Sequence, residues 1–285
     1  MHKPIFDGLF FRVHLMKIII LFFTALISSL SIAEESKPRL IAIDGAITEI
    51  IYQLNAADNL VAVDSTSKHP KAATQLPNVG YMRALSAEGI LSLKPTQIIT
   101  TSAAGPKPVI EQLKQSGVDI AVIDQPYTVE GTQQKIAALG QLLNREQEAQ
   151  ALIQTMQKAI DKSLANVPTN KEPLTALFFL GMRGNQLMAA GQGTQADAML
   201  AITGIKNAGD SFNSYKPLSK EAVLNINPDI IIISQHNAFD LDVKNQFSFT
   251  SAFKNDRILV GKSEDLLGFG PRLAQGIELI INTAY

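Results

Sequence analysis

Tyr81 and Arg83 stand one residue apart, and this is the place in the chain where a ligand is expected. A phenol ordinarily ionises near pH 10, and a positive charge beside it favours the phenolate. A guanidinium two residues on can supply that charge or donate a hydrogen bond to the phenolate oxygen. In an extended segment residues i and i+2 point the same way, which is the arrangement expected for this pair. Taken alone, Tyr81 also reads as an ordinary half-buried loop tyrosine. Other reactive groups are scarce. With no cysteine there is no disulfide, no thiolate metal site and no cysteine nucleophile. No G-x-S-x-G elbow, H-E-x-x-H pair or Walker loop occurs, so an enzyme, for instance a periplasmic hydrolase, has little to be built from. A net charge of −1 without a basic cluster argues against nucleic acid as partner.

The elements that must position this pair announce themselves by repetition. Gly80–Pro95 (GYMRALSAEGILSLKP) returns as Ser214–Pro228 (SYKPLSKEAVLNINP), 133 residues later. Leu85, Ser86, Glu88, Leu91 and Pro95 fall on Leu218, Ser219, Glu221, Leu224 and Pro228, and Ile98-Ile99 fall on Ile231-Ile232. In each copy a serine caps a short helix, a glutamate sits in the first turn where the helix dipole favours an anion, and a proline ends the helix before an apolar strand. Two copies so far apart predict two lobes of similar build and not a short-period solenoid.

The first 33 residues read as a leader. Met16-Lys17 precedes an apolar run, Ile18–Ile32, ending in Ser31-Ile32-Ala33, which is the pattern of a secretory signal peptide over 16–33. At about 15 residues the run is short of the roughly 20 needed to span a membrane. Met1 and Met16 are both possible starts. The mature chain is expected to be a soluble monomer in the periplasm, with no stable membrane insertion after cleavage.

From there strands alternate with helices, the signature of a mostly parallel sheet covered on both faces. Strands are expected at Arg39–Asp44, Leu60–Asp64, Gln97–Thr101 and Val118–Ile123, and helices at Thr48–Leu54, Val109–Ser116 and Thr128–Leu143. Asn144–Val167 lacks glycine and proline and predicts one long connector helix. Beyond it come the strand Leu174–Leu180, a Gly-rich stretch Gly181–Gly193, the helix Thr194–Thr203, and the loop Ala208–Pro217 before the second repeat. The strands Ile230–Ser234 and Ile258–Val260, the turn Gly268–Pro271 and the helix Arg272–Thr283 close the chain. The expected organisation is therefore an N-terminal lobe over 34–143, a connector over 144–167 and a C-terminal lobe over 168–285. Two histidines of the mature chain, His69 and His236, each follow a predicted strand, and such loops form the crevice of open α/β sheets.

On Val79–Thr96 (VGYMRALSAEGILSLKPT), Ala189–Leu200 (AAGQGTQADAML) and Leu267–Ile277 (LGFGPRLAQGI), the chain resembles the substrate-binding proteins of ABC transporters whose lobes are joined by one long helix. Within that family, which also carries cobalamin and ferric siderophores, it looks most like the periplasmic haem-binding proteins. The resemblance spans roughly Arg39–Ala284. It implies that haem b is the transported ligand, that Tyr81 is the axial ligand of the haem iron with Arg83 beside it, and that Glu88 and Glu221 dock on the permease subunits. Ferric iron accepts a phenolate, and tyrosine is a recognised axial ligand. Arg83, Arg183 and Arg272 are candidates for the haem propionates, Tyr215 for the opposite wall, and Met82, Met182, Met188 and Phe269 for the apolar lining. His69 or His236 would supply a second axial ligand if there is one; five-coordinate iron is the default. Cobalamin and siderophore binders tend to line their clefts with tryptophan or several arginines, and this chain has no tryptophan. A single stiff helix permits small lobe movements only, so the permease is expected to prise the lobes apart on docking.

Overall fold

The computed structural model describes residues 37–124, 126–170, 172–183, 186–235 and 241–285. The leader 1–33, with its signal segment 16–33, and His236 lie outside the described residues. The first half runs β1 (Leu40–Ala42), α1 (Gly45–Gln53), β2 (Leu60–Val63), α2 (Ala87–Leu91), β3 (Gln97–Thr101), α3 (Lys107–Gln115), β4 (Asp119–Ile123) and α4 (Val129–Leu142). The long helix α5 (Glu146–Leu164) follows. The second half begins with β5 (Thr175–Arg183), β6 (Gln186–Ala190), α6 (Gln195–Ile202), β7 (Lys206–Asn207) and β8 (Tyr215–Pro217). It ends with α7 (Lys220–Ile226), β9 (Ile230–Gln235), α8 (Ser251–Lys254), β10 (Ile258–Lys262), α9 (Ser263–Leu266) and α10 (Leu273–Ala284).

The repeat is visible in three dimensions. Ser86 Oγ accepts the Gly89 amide at 3.4 Å to start α2, and Ser219 Oγ accepts the Ala222 amide at 3.2 Å to start α7. The strand after each helix then enters the middle of a sheet: β3 lies beside β1 with Ile41 opposite Ile98, and β9 lies beside β5 with Leu177 opposite Ile231. The first sheet has the order β2-β1-β3-β4 and is parallel throughout. The second has the order β10-β9-β5-β6-β8, with β7 also beside β5. Both lobes thus share three parallel strands in the same order, β4-β3-β1 and β10-β9-β5, and the fold is α/β with one parallel and one mixed sheet flanked by helices.

Two expectations need correction in the second sheet. The Gly-rich stretch does not merely connect: β6 folds back antiparallel on β5, with Phe179 opposite Ala189. Residues 215–217, expected as loop, form β8 along β6, with Ala190 opposite Tyr215. Gly181 adopts φ +51°, a left-handed conformation open to glycine, and the register slips between Phe179 and Met182.

Alternation along the strands sends side chains to two faces. Leu40 and Ala42 of β1, and Ile230 and Ile232 of β9, turn to one shared core; Ile41, Ile43, Ile231 and Ile233 turn to two outer clusters. The long helix packs between α4 and α10 and puts Ala149, Met156 and Ile160 into the shared core. It is therefore more than a strut, because its apolar stripe joins the inner faces of both sheets. Among the described residues no helix is long and apolar enough to cross a membrane.

Candidate functional site

A cleft of about 680 Å³ opens where strand ends from both sheets converge. Asp44 lines it after β1, Ser65 after β2, Ala103 after β3, Tyr127 after β4 and Ser263 after β10. This is the crevice at the carboxyl ends of strands that open α/β sheets use for ligands, and its volume lies within the usual range of roughly 300–1,000 Å³ for such sites.

Tyr81 and Arg83 both line this cleft and both are exposed, Tyr81 by 47%. The segment that carries them is not extended as expected: the Ala84 amide donates to the Tyr81 carbonyl at 2.8 Å, closing a turn. Gly80, at φ +95°, precedes the turn; its amide donates to Asn78 Oδ1, and its carbonyl accepts from Ser65. The Met82 carbonyl accepts from Gly105 on the loop after β3. Within this turn Met82 is directed inward, 7% exposed, into the outer cluster with Ile41, Leu85 and Ile90, and only touches the cleft. The turn therefore exposes the two polar members of the triplet and buries the apolar one between them.

Two further phenols line the cleft, Tyr215 from β8 and Tyr127 from the loop after β4. Burial pushes both up from the ordinary tyrosine value, and the Arg83 guanidinium opposes that shift in each. Arg83 thus reaches electrostatically across to phenols from both halves of the chain. Thr194 and the Ala196 amide at the start of α6 oppose the upward shift of Tyr215 in the same sense. The Tyr127 ring rests on Phe269 with centroids 5.2 Å apart, and Phe269 is 1% exposed. Sequence reasoning missed Tyr127; its place at the carboxyl end of a predicted strand was the signal available. Among the described residues Arg83 has no ion-pair partner, whereas Arg272 is engaged. Its Nε lies 2.9 Å from both carboxylate oxygens of Glu49, and its Nη1 meets Asp265.

The floor of the cleft holds a polar network that the sequence did not disclose. Asp44 caps α1 through the Ala46 amide at 2.8 Å, and its own amide donates to Asp64 Oδ1 at 3.1 Å. Asp64 also accepts the Thr66 and Ser67 hydroxyls, tying down the loop that carries Lys68 and His69 along the cleft. Gly45 sits so close to this loop that a Cβ there would stand 2.5 Å from the Thr66 carbonyl oxygen. Lys135 of α4, 1% exposed, donates to the Phe269 carbonyl at 2.7 Å. Burial lowers Lys135 to about 8 although the Asp44 charge opposes this, and burial raises Asp44 despite Lys135.

Of the remaining expected residues, His69 lines the cleft half-buried, while the Met182 and Arg183 side chains lie outside the described residues. Glu88 and Glu221 are exposed in the first turns of α2 and α7, away from the cleft lining. The amide of Glu221 and the Ser219 side chain hold the Glu221 carboxyl below the usual range.

A family model described as periplasmic binding protein matches residues 40–264. Among solved structures the chain is similar to the periplasmic heme-binding protein BhuT in complex with two hemes, at 36% identity over 87% of this chain and 99% of that one, with a TM-score of 0.77. It is likewise similar to the periplasmic heme-binding protein HutB of Vibrio cholerae, at 32% identity over 88% of this chain and all (100%) of that one, with a TM-score of 0.75. Among curated proteins, the vitamin B12-binding protein of Vibrio parahaemolyticus serotype O3:K6 is 26% identical over 230 residues, 79% of this chain and 81% of the relative.

Proposed function

Since the chain belongs to the periplasmic binding protein family, we propose that it captures haem b in the periplasm and delivers it to the permease of an inner-membrane ABC importer. The observation that carries this reading is the turn at Tyr81–Ala84, which presents to the cleft a phenol together with a guanidinium that has no ion-pair partner among the described residues. Tyr81 is the axial ligand of ferric iron in this proposal, as a phenolate that a hard cation accepts. Arg83 either steadies that oxygen or meets a propionate, and Arg272, already held by two carboxylates, is the weaker propionate candidate. Tyr127 and Tyr215, with Phe269 behind Tyr127, supply aromatic wall for a macrocycle within a lining that is otherwise rich in polar groups. The role is binding and not catalysis: the family and the relatives described above are binding proteins. Glu88 and Glu221, at matched places in the two lobes, are the docking points for the permease subunits.

The test is a visible absorption titration of the protein with haemin, run beside Tyr81→Phe. A saturable Soret band with a phenolate-to-iron charge-transfer feature is expected, and the feature disappears in the variant. An unchanged spectrum in Tyr81→Phe removes Tyr81 as ligand. The relationship to vitamin B12-binding proteins favours a second reading, cobalamin in the same cleft. Saturable binding of cyanocobalamin with only weak, non-stoichiometric haemin binding would select it.

A further inference from the structure

Side chains cross at and beneath the cleft lining twice to partners in the other half of the chain. Lys135, on α4 in the first half, donates to the Phe269 carbonyl in the turn before α10 at 2.7 Å. Arg272, three residues further on, reaches back to Glu49 on α1 at 2.9 Å while also holding Asp265. Between these crossings Gly270 lies against the first turn of α1, so that a Cβ on it would stand 2.9 Å from the Ala46 Cβ.

A fully buried lysine is a costly way to fill space, because its charge is stripped of water and only one carboxylate, Asp44, compensates nearby. An apolar residue of similar volume would fill the same site without that cost. What the lysine adds is direction: a cationic donor fixes one carbonyl oxygen in place. That carbonyl belongs to Phe269, a residue of the cleft lining whose ring meets Tyr127. We infer that Lys135 and Arg272 are positioning residues, two pins across the cleft floor that set the separation of its walls and so the grip on a flat ligand. The part of this inference that concerns retention of haem rests on the function proposed above; the part that concerns wall separation does not.

Because the chain has no cysteine, spin labels can be placed uniquely, at Gln115→Cys on α3 and Leu224→Cys on α7, both exposed. Distances between them are measured without ligand in the parent protein, in Lys135→Met combined with Asp44→Asn, and in Glu49→Gln. The paired substitution leaves no orphan charge, and asparagine still caps α1. The parent is expected to give one narrow distance distribution, and both variants a broadened or shifted one, with melting temperatures within a few degrees of the parent. Haemin should leave both variants at least tenfold faster with the Soret position unaltered. Unchanged distances in the variants overturn the inference, including the case where they merely melt lower, since that is the mark of a structural role alone. Altered distances with haemin dissociation within twofold of the parent overturn the role in ligand grip. Should the paired variant not fold, Glu49→Gln decides by the same criteria. Should haemin not bind the parent, the function proposed above falls and the distances alone decide.

Discussion

Arg83 is the residue through which the cleft is electrostatically connected. Its charge opposes the upward shift that burial imposes on Tyr127, after β4, and on Tyr215, on β8, and it shares a turn with Tyr81. Replacing it with a neutral side chain removes a favourable field from both phenols. In Arg83→Gln the alkaline transitions of Tyr127 and Tyr215 should therefore move to still higher pH, read from near-ultraviolet phenolate absorbance with Tyr127→Phe as the assigning control. The same variant should bind haemin roughly ten- to a hundredfold more weakly, because a charge-assisted hydrogen bond is worth roughly 1.5–3 kcal/mol when one partner is removed. An affinity within twofold of the parent would mean that Arg83 meets neither the phenolate nor a propionate. Tyr81 itself should keep its charge-transfer band in Arg83→Gln if Arg83 serves a propionate, and show a shifted band if it steadies the phenolate.

The helices α2 and α7 are matched elements of the two halves of the chain. Each is short, capped by a serine, and bears a glutamate in its first turn with no part in the cleft. Glu88→Lys combined with Glu221→Lys should abolish haemin uptake into proteoliposomes carrying the importer, with haemin affinity within twofold of the parent; a loss of affinity instead would place these residues in the ligand site. These helices were legible in the sequence because everything that makes them is local: the capping serine, the apolar spacing and the stopping proline. The hairpin of β5 and β6 was not, because Gln186–Ala190 has no β-branched residue and its pairing depends on a left-handed Gly181. Tyr81 and Arg83 were legible as a pair, yet through the wrong geometry, since a turn and not an extended segment brings them out. Tyr127 is a lone loop tyrosine with no pattern around it. Lys135 and Glu49 read as ordinary helix charges until the fold supplies partners 134 and 223 residues away.

Across the whole molecule the two sheets share one core, and two buried groups of opposite charge, Lys135 and Asp44, act on each other where that core meets the cleft. Its titration gives a global signature. Lys135 falls from 10.5 to about 8 on folding, so between those pH values the unfolded chain binds the proton that the folded chain has released. Stability therefore rises with pH across this window, whereas below about 8 the folded state bears the full cost of the buried charge. Asp44 acts in the opposite sense: its carboxyl is raised above 3.8 by burial, the folded state there holds the extra proton, and stability falls as pH climbs through the folded value. Both groups thus tax stability near neutrality, which is what a pair kept for positioning should do. Denaturant titrations of the parent and of Lys135→Met with Asp44→Asn, run from pH 7 to about 10.5, isolate the contribution of this lysine. The parent should gain on the order of 3 kcal/mol relative to the variant between pH 8 and 10.5, at about 1.4 kcal/mol for each pH unit separating the two values. Parallel stability profiles would show that Lys135 keeps its proton in the folded state, and that the floor of the cleft is wetter than its packing implies.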